Sequence, residues 1–426
     1  MNVNGKVYAA RTIALTVGMA LASAAHGQMS SANIGFAVAT ANNQVYIGGQ
    51  VIGPIPPDYP YLGGDGDSFL QAFNQNGKLQ WTAEFGSTAQ DRVLGVAADA
   101  TGVYAAGFTM GAMTGQTFYG STDAYVAKFS LTGEPLWMNE FGGPGVERLQ
   151  AAASDGTYLY VTGYTSEALY GLPFLGEQDC FAQKWDQNGN LIWTSDFGTT
   201  ETDRCYGIAV NANGIFITGR TTGAFTGQTS TGYEDGMVVE LNFNGDLIWV
   251  NQFGTQGPTR GWGVTANSTG VYVTGRTGGA FAGQPYLGGD DSYMAKFSYS
   301  GTMEWVNEFG TSVFDRGTAA ATDATGIYGT GYTAGALPGN VSAGYDDCYL
   351  SKWSPSEKML WTVQFGSSQN DQCWGVATDT TGAYVSGTAG GTLPGQTKGN
   401  GFFLEKFDTN GNSLWTREIA VPRGTN

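Results

Sequence analysis

The sequence predicts an all-β protein: a seven-bladed β-propeller with four antiparallel strands per blade, its ring closed by packing between blades 7 and 1. Three observations predict it. Tryptophan recurs every 56 residues, at Trp81, Trp137, Trp193, Trp249, Trp305 and Trp361, and again after 54 at Trp415. Glycine lies four residues before most of them (Gly77, Gly133, Gly189, Gly245, Gly301, Gly411), and Phe-Gly follows four residues after the first six, from Phe85 to Phe365. Glycine makes up 67 of 426 residues, against roughly 7% in average proteins, while aromatics reach 13% and charged residues only 13%. That is a turn-rich chain with a large apolar payload, neither disordered nor collagen-like.

Each repeat reads as four short strands. In the fourth, YGIAV (206–210) is strand A, GIFITGRT (214–221) strand B, GMVVEL (236–241) strand C and DLIWVNQF (246–253) strand D. β-Branched and aromatic residues fill these runs, and Asn and Gly break them. Asn244-Gly245 between C and D predicts a two-residue hairpin turn. A lone four-stranded meander would expose two apolar faces. Seven placed radially bury them against one another. The strand D tryptophan and the strand C aromatic (Phe129, Trp185, Phe297, Trp353, Phe407) are expected between blades, and the small mid-strand-A residue (Gly95, Gly207, Gly263, Gly375) beside the central channel. The predicted blades are 34–85, 92–141, 148–197, 204–253, 260–309, 316–365 and 372–418.

Residues 1–27 read as an export signal: Lys6 and Arg11, then an apolar stretch too short to span a bilayer, then small residues Ala25 and Gly27 before the cut. Residues 28–426 then form one propeller domain. The single histidine, His26, falls in the signal, so histidine catalysis and histidine metal sites are excluded from the exported chain. The formal charge of −17 argues against nucleic-acid partners and anionic lipid surfaces. No apolar run suits a membrane helix, and a monomer is expected.

The motifs "VYVTGRT" in strand B, "AKF" in strand C and "W…FG" in strand D resemble the SBBP repeats, the seven-bladed propeller repeat family of exported bacterial proteins, over residues 34–418. The resemblance implies a secreted, periplasmic or cell-surface protein and carries no catalytic residues.

An offset of 25 residues recurs between strand C and strand A of the next blade. It pairs Asp67 with Arg92, Asp123 with Arg148, Asp179 with Arg204, Asp235 with Arg260 and Asp291 with Arg316. At the closing junction Gly401 and Phe36 take these places, and the joint loss predicts ion pairs between blades. The four cysteines share the offset, which selects disulfides Cys180–Cys205 and Cys348–Cys373. A second acid precedes most of the arginines (Asp91, Glu147, Asp203, Asp315, Asp371). Calcium between the two carboxylates is a minor expectation; otherwise no metal or cofactor is expected.

The long B–C and D–A loops share one face, where binding is expected. Tyr206, Arg220, Trp262, Arg276 and Trp374 fall there, with a protein, peptide or glycan as partner or with plain inter-blade packing as their role. The functional expectation is a binding or scaffold module without catalysis. The alternatives are a carboxylate- or tyrosine-based lyase or glycosidase at the channel mouth, and a structural envelope or matrix component.

Overall fold

Strands B and C are apolar almost without interruption, a pattern that demands cover on both faces. A computed structural model, which describes residues 33–55, 61–397, 399 and 401–420, supplies that cover from neighbouring blades. The export segment 1–27 lies outside the described residues, as do positions 56–60 of the proline-rich loop of blade 1. Seven four-stranded antiparallel sheets follow one another in chain order, with no strand exchanged between sheets. In blade 4 the strands are Asp203–Asn211, Gly214–Thr221, Asp235–Leu241 and Leu247–Phe253. Strands B and C are buried nearly throughout, whereas strand D is half exposed at the rim.

The core lies between blades. One cluster joins Phe216 and Val238 of blade 4 to Val264, Val273 and Phe297 of blade 5. At four junctions the phenylalanine of strand D packs on the strand C aromatic of the next blade: Phe85 on Phe129, Phe253 on Phe297, Phe309 on Trp353 and Phe365 on Phe407, with ring centres 5.0–5.3 Å apart. Blade 7 meets blade 1 without a shared sheet, with Phe69 stacked on Phe402 at 4.3 Å.

The tryptophan repeat has a specific cause. Every strand D indole donates its N–H to a carbonyl in the C–D turn of the next blade: Trp81 to Leu131, Trp137 to Gln187, Trp193 to Phe243, Trp249 to Tyr299, Trp305 to Pro355, Trp361 to Thr409 and, across the closure, Trp415 to Gln75. The repeated glycine sits in that turn against the indole. It also corrects the predicted turn type. In blade 4, Asn242 donates to Asp246 and Gly245 to Asn242, so the loop has three residues and ends on Gly245 at φ +88°. Only one of its residues needs positive φ, not the two of a two-residue turn.

The disulfides form as the spacing predicts, Cys180–Cys205 and Cys348–Cys373, stapling blade 3 to 4 and blade 6 to 7.

Two outcomes follow from this packing. A Cβ on Gly133 (φ +90°) would lie 2.8 Å from the Trp81 ring, whereas one on Gly115 (φ +76°) would meet nothing within 4 Å. Gly115→Ala should therefore cost about 1 kcal/mol from the backbone alone. Gly133→Ala should cost a further ~1–3 kcal/mol, read from denaturant midpoints. Protein unfolded without reductant should show no reactive thiol. Cys348→Ser/Cys373→Ser should lose up to about 3 kcal/mol of stability by the loop-closure model.

Candidate functional site

Strand A carries the same irregularity in all seven blades. Its ladder with strand B skips one residue, so Phe36, Leu94, Gln150, Tyr206, Trp262, Thr318 and Trp374 are bulged out of register. A bulge re-aims a side chain, and here each one lines the central channel, a cavity of about 290 Å³. The glycine after the bulge keeps the ring tight: a Cβ on Gly263 would fall 2.6 Å from the backbone of Ala319 in the next blade.

Above the bulges, toward the long loops, lies a belt of cross-strand pairs: Arg92 with Phe108, Arg148 with Tyr164, Arg204 with Arg220, Arg260 with Arg276 and Arg316 with Tyr332. In blade 7 the pair is Gln372 with Thr388, and in blade 1 it is Ile34 with Gln50. Ile34, not Phe36, therefore occupies the arginine slot at the closing junction, because Phe36 is itself the bulge.

This belt corrects the predicted ion pairs. None of Asp67–Arg92, Asp123–Arg148, Asp179–Arg204, Asp235–Arg260 or Asp291–Arg316 is among the ion pairs of the described residues. The offset of 25 marks a backbone contact: Asp91 N–H donates to Gly66, Glu147 to Thr122, Asp203 to Gln178 and Asp315 to Asp290. One residue further along strand A the side chain has changed faces. The arginines point to the belt, and the acids before them turn back into the loops. Their real polar partners are 26 residues away or closer: Arg260 meets Glu234, Glu234 also meets Arg220, and Arg276 meets Asp290.

The strand C aspartates hold the B–C loops instead. Asp123 accepts from Tyr119 N–H (2.6 Å), Asp235 from Thr231 (2.9 Å) and Asp347 from Ala343 (2.7 Å). The second acids hold the D–A loops, Asp91 through Ser87 N–H and Asp203 through Thr199 N–H. Both sets recur around the ring as loop anchors. Among the described residues no group of three or more acidic, cysteine or histidine side chains is placed to hold a metal ion.

A third loop anchor, three residues after six of the seven tryptophans, had escaped the sequence reading. Gln252 in blade 4 and Gln364 in blade 6 each donate Nε2 to the strand C aspartate at 2.8 Å, while their carbonyls accept from Phe225 and Leu337 N–H. Glutamate takes this place as Glu84, Glu140, Glu308 and Glu418, with the same loop contact through Ile55, Met113, Phe281 and Leu393 N–H, whereas the side chain of Asp196 in blade 3 makes no hydrogen bond. A glutamate can reproduce the second glutamine bond only as a neutral carboxyl. Burial, with the neighbouring aspartate, pushes Glu84 up to about 8 and Glu140 and Glu308 up to about 7.

The nominated binding residues lie together in part. Tyr206 stacks on Trp262 (4.3 Å, 19°), and Arg220 Nε donates to the Tyr206 hydroxyl at 3.0 Å. Trp374 stands apart, flanked by Phe36 and Tyr332 at 6.0 and 5.7 Å. Arg276 is drawn down by burial and by the Arg260 and Arg316 guanidiniums, with Glu234 opposing, and it forms an ion pair with Asp290. Around the same face the B–C loops expose aromatic side chains, among them Tyr119, Tyr170, Tyr233, Tyr286 and Tyr345.

No family model matches the chain, and no curated protein matches it. Solved structures similar to it include the Neurospora crassa Pan2 WD40 domain (12% identity, TM-score 0.49, covering 85% of this chain and 88% of that one). The WD40 β-propeller domain of Doa1 is another (9% identity, TM-score 0.48, 83% and 89%). Pyrococcus horikoshii acylaminoacyl peptidase is a third (9% identity, TM-score 0.49), with 92% of this chain covered; the chain spans about half the length of that peptidase (53%).

The neutral carboxyls set a pH dependence. Their folded pKa values lie above the unfolded carboxylate value of about 4.3, so folding takes up protons. That stabilisation is complete below the unfolded value and is lost as pH rises through about 7 to 8. Tm should be higher at pH 5 than at pH 8.5 by at least about 3 °C. Glu84→Gln/Glu140→Gln/Glu308→Gln should shrink the difference by raising the alkaline Tm; an unchanged difference would count against neutral glutamates.

Proposed function

We propose that this chain is an exported, non-catalytic binding module built of SBBP-like repeats, whose ligand seats over the channel mouth on the face of the long loops. The observation that carries this reading is the bulge in every strand A. It frees one side chain per blade from the ladder and turns it to the channel, below a belt of arginines and aromatic rings. Rigidly anchored loops surround that mouth, and their exposed tyrosines put apolar surface where monomeric proteins rarely keep it. Tyr206, Trp262 and Trp374 line the channel, and Arg220 and Arg276 stand in the belt above it. Two disulfides fit an oxidising compartment. No helix of the described residues is long and apolar enough to cross a membrane. The partner is a protein, peptide or glycan met by a monomer.

A glycan and peptide array on the purified protein tests this. A ligand of this face should bind about tenfold more weakly to Trp262→Ala, in line with the loss of an interface anchor. Tyr233→Ala, at a side chain 79% exposed, should weaken binding while leaving stability within about 0.5 kcal/mol. Binding untouched by either substitution would place the ligand elsewhere.

A further inference from the structure

The belt holds more guanidiniums than counter-charges. The residue before the strand C aspartate meets the strand A residue 26 positions on at three junctions, Gln178 with Arg204, Glu234 with Arg260 and Asp346 with Gln372. It is acidic at three successive junctions, as Glu234, Asp290 and Asp346. There Glu234 bridges Arg220 and Arg260, Asp290 meets Arg276, and Asp346 accepts from Gln372 at 2.9 Å. At the three preceding junctions the same place holds Gly66, Thr122 and Gln178. Arg92, Arg148 and Arg204, on blades 2 to 4, form no ion pair with any carboxylate of the described residues, nor does Arg316 on blade 6; of the three, Arg204 donates Nε to the neutral Gln178 Oε1.

These arginines are held in order without a counter-charge. Phe108 lies between two of them, with Arg148 at 4.3 Å and Arg92 at 5.7 Å from its ring centre, and Arg204 stands 4.7 Å from the ring of Tyr164. Nε of Arg92 and of Arg148 is buried without a hydrogen-bond partner, as are Nε of Arg276 and Arg316 and the indole Nε1 of the channel-lining Trp262 and Trp374. Unpaired buried donors and unopposed guanidiniums are costly in isolation and call for an acceptor-rich anion. The B–C loops of blades 2 and 3 add Tyr119 and Tyr170, 54% and 58% exposed. Tyr170 holds φ +52°, a left-handed conformation that is unfavourable for a bulky residue.

We infer that the arc of blades 2 to 4 binds a uronate-bearing oligosaccharide, its carboxylates on Arg92, Arg148 and Arg204 and its sugar rings on the exposed tyrosines. This rests on the binding-module reading above and names its ligand class. An oligouronate carries an apolar C–H face and a carboxylate on every ring, so one chain can bring carboxylates to the belt arginines and sugar rings to the loop tyrosines. An acidic peptide would use the charge and leave the aromatic platform without a role.

The test is calorimetric titration of the full chain with tetragalacturonate, with cellotetraose and tetraglutamate as separate arms. Tetragalacturonate should bind, weaken at least about tenfold between 50 and 500 mM salt, and weaken by at least about tenfold in Arg92→Gln/Arg148→Gln. Tyr170→Ala should weaken it without changing the salt response. If the double glutamine variant does not fold, Arg92→Lys/Arg148→Lys and the salt response of the unaltered protein decide. Equal binding of cellotetraose, binding of tetraglutamate alone, or indifference to both charge and salt would overturn the inference. A neutral ligand found on this face would keep the module reading and remove only this one; no ligand on this face in any assay would remove both.

Discussion

The contact between each outer-strand indole and the next blade's C–D turn is the constraint on which the ring depends. It couples a hydrogen bond to a steric condition. The indole can reach the turn carbonyl only if the turn lies flat against the ring, and the residue there must adopt positive φ without a side chain in the way. Glycine meets both demands at six turns, and a Cβ on any of them would crowd the indole at 2.7–3.1 Å. Blade 6 departs, with Glu357 at φ +74°, and the Trp305 bond to that turn is among the longest of the set at 3.3 Å. The same contact links Trp415 to Gln75, so closure uses the chemistry of every other junction and needs no shared sheet.

The two ends of the disc are built differently. Short hairpins close one. At the other, buried carboxylates accept backbone N–H groups from the loops above them. A carboxylate in that position satisfies donors that would otherwise be buried and unpaired, and its own desolvation is the opposing cost. Where glutamine replaces the glutamate, the opposing cost disappears and the geometry stays the same.

Much of this was legible in the sequence. The 56-residue period, the Asn-Gly breaks and the seven tryptophans are local signals of a repeated sheet, and the cysteine offset located both disulfides. The aspartate–arginine pairs were misread because an offset shows which residues are neighbours but not which face of the pleat each side chain takes. Asp91 and Arg92 are adjacent and point opposite ways, so one residue separates a loop anchor from a belt cation. The bulge was invisible for a related reason: an unpaired residue in an antiparallel ladder leaves no mark on hydrophobic alternation over so short a strand. Two signals did lie in the repeat unread. One is the alternation of Glu and Gln three residues after tryptophan, and the other is the acid one residue before the strand C aspartate.

The bulged residue in each first strand has a consequence for how such a protein can diversify. It takes no part in the ladder, and its neighbours on either side keep the sheet in register. Phenylalanine, leucine, glutamine, tyrosine, tryptophan and threonine all occupy it here on the same backbone. A lineage can therefore rewrite the lumen one spoke at a time, without renegotiating the wedge that carries each spoke.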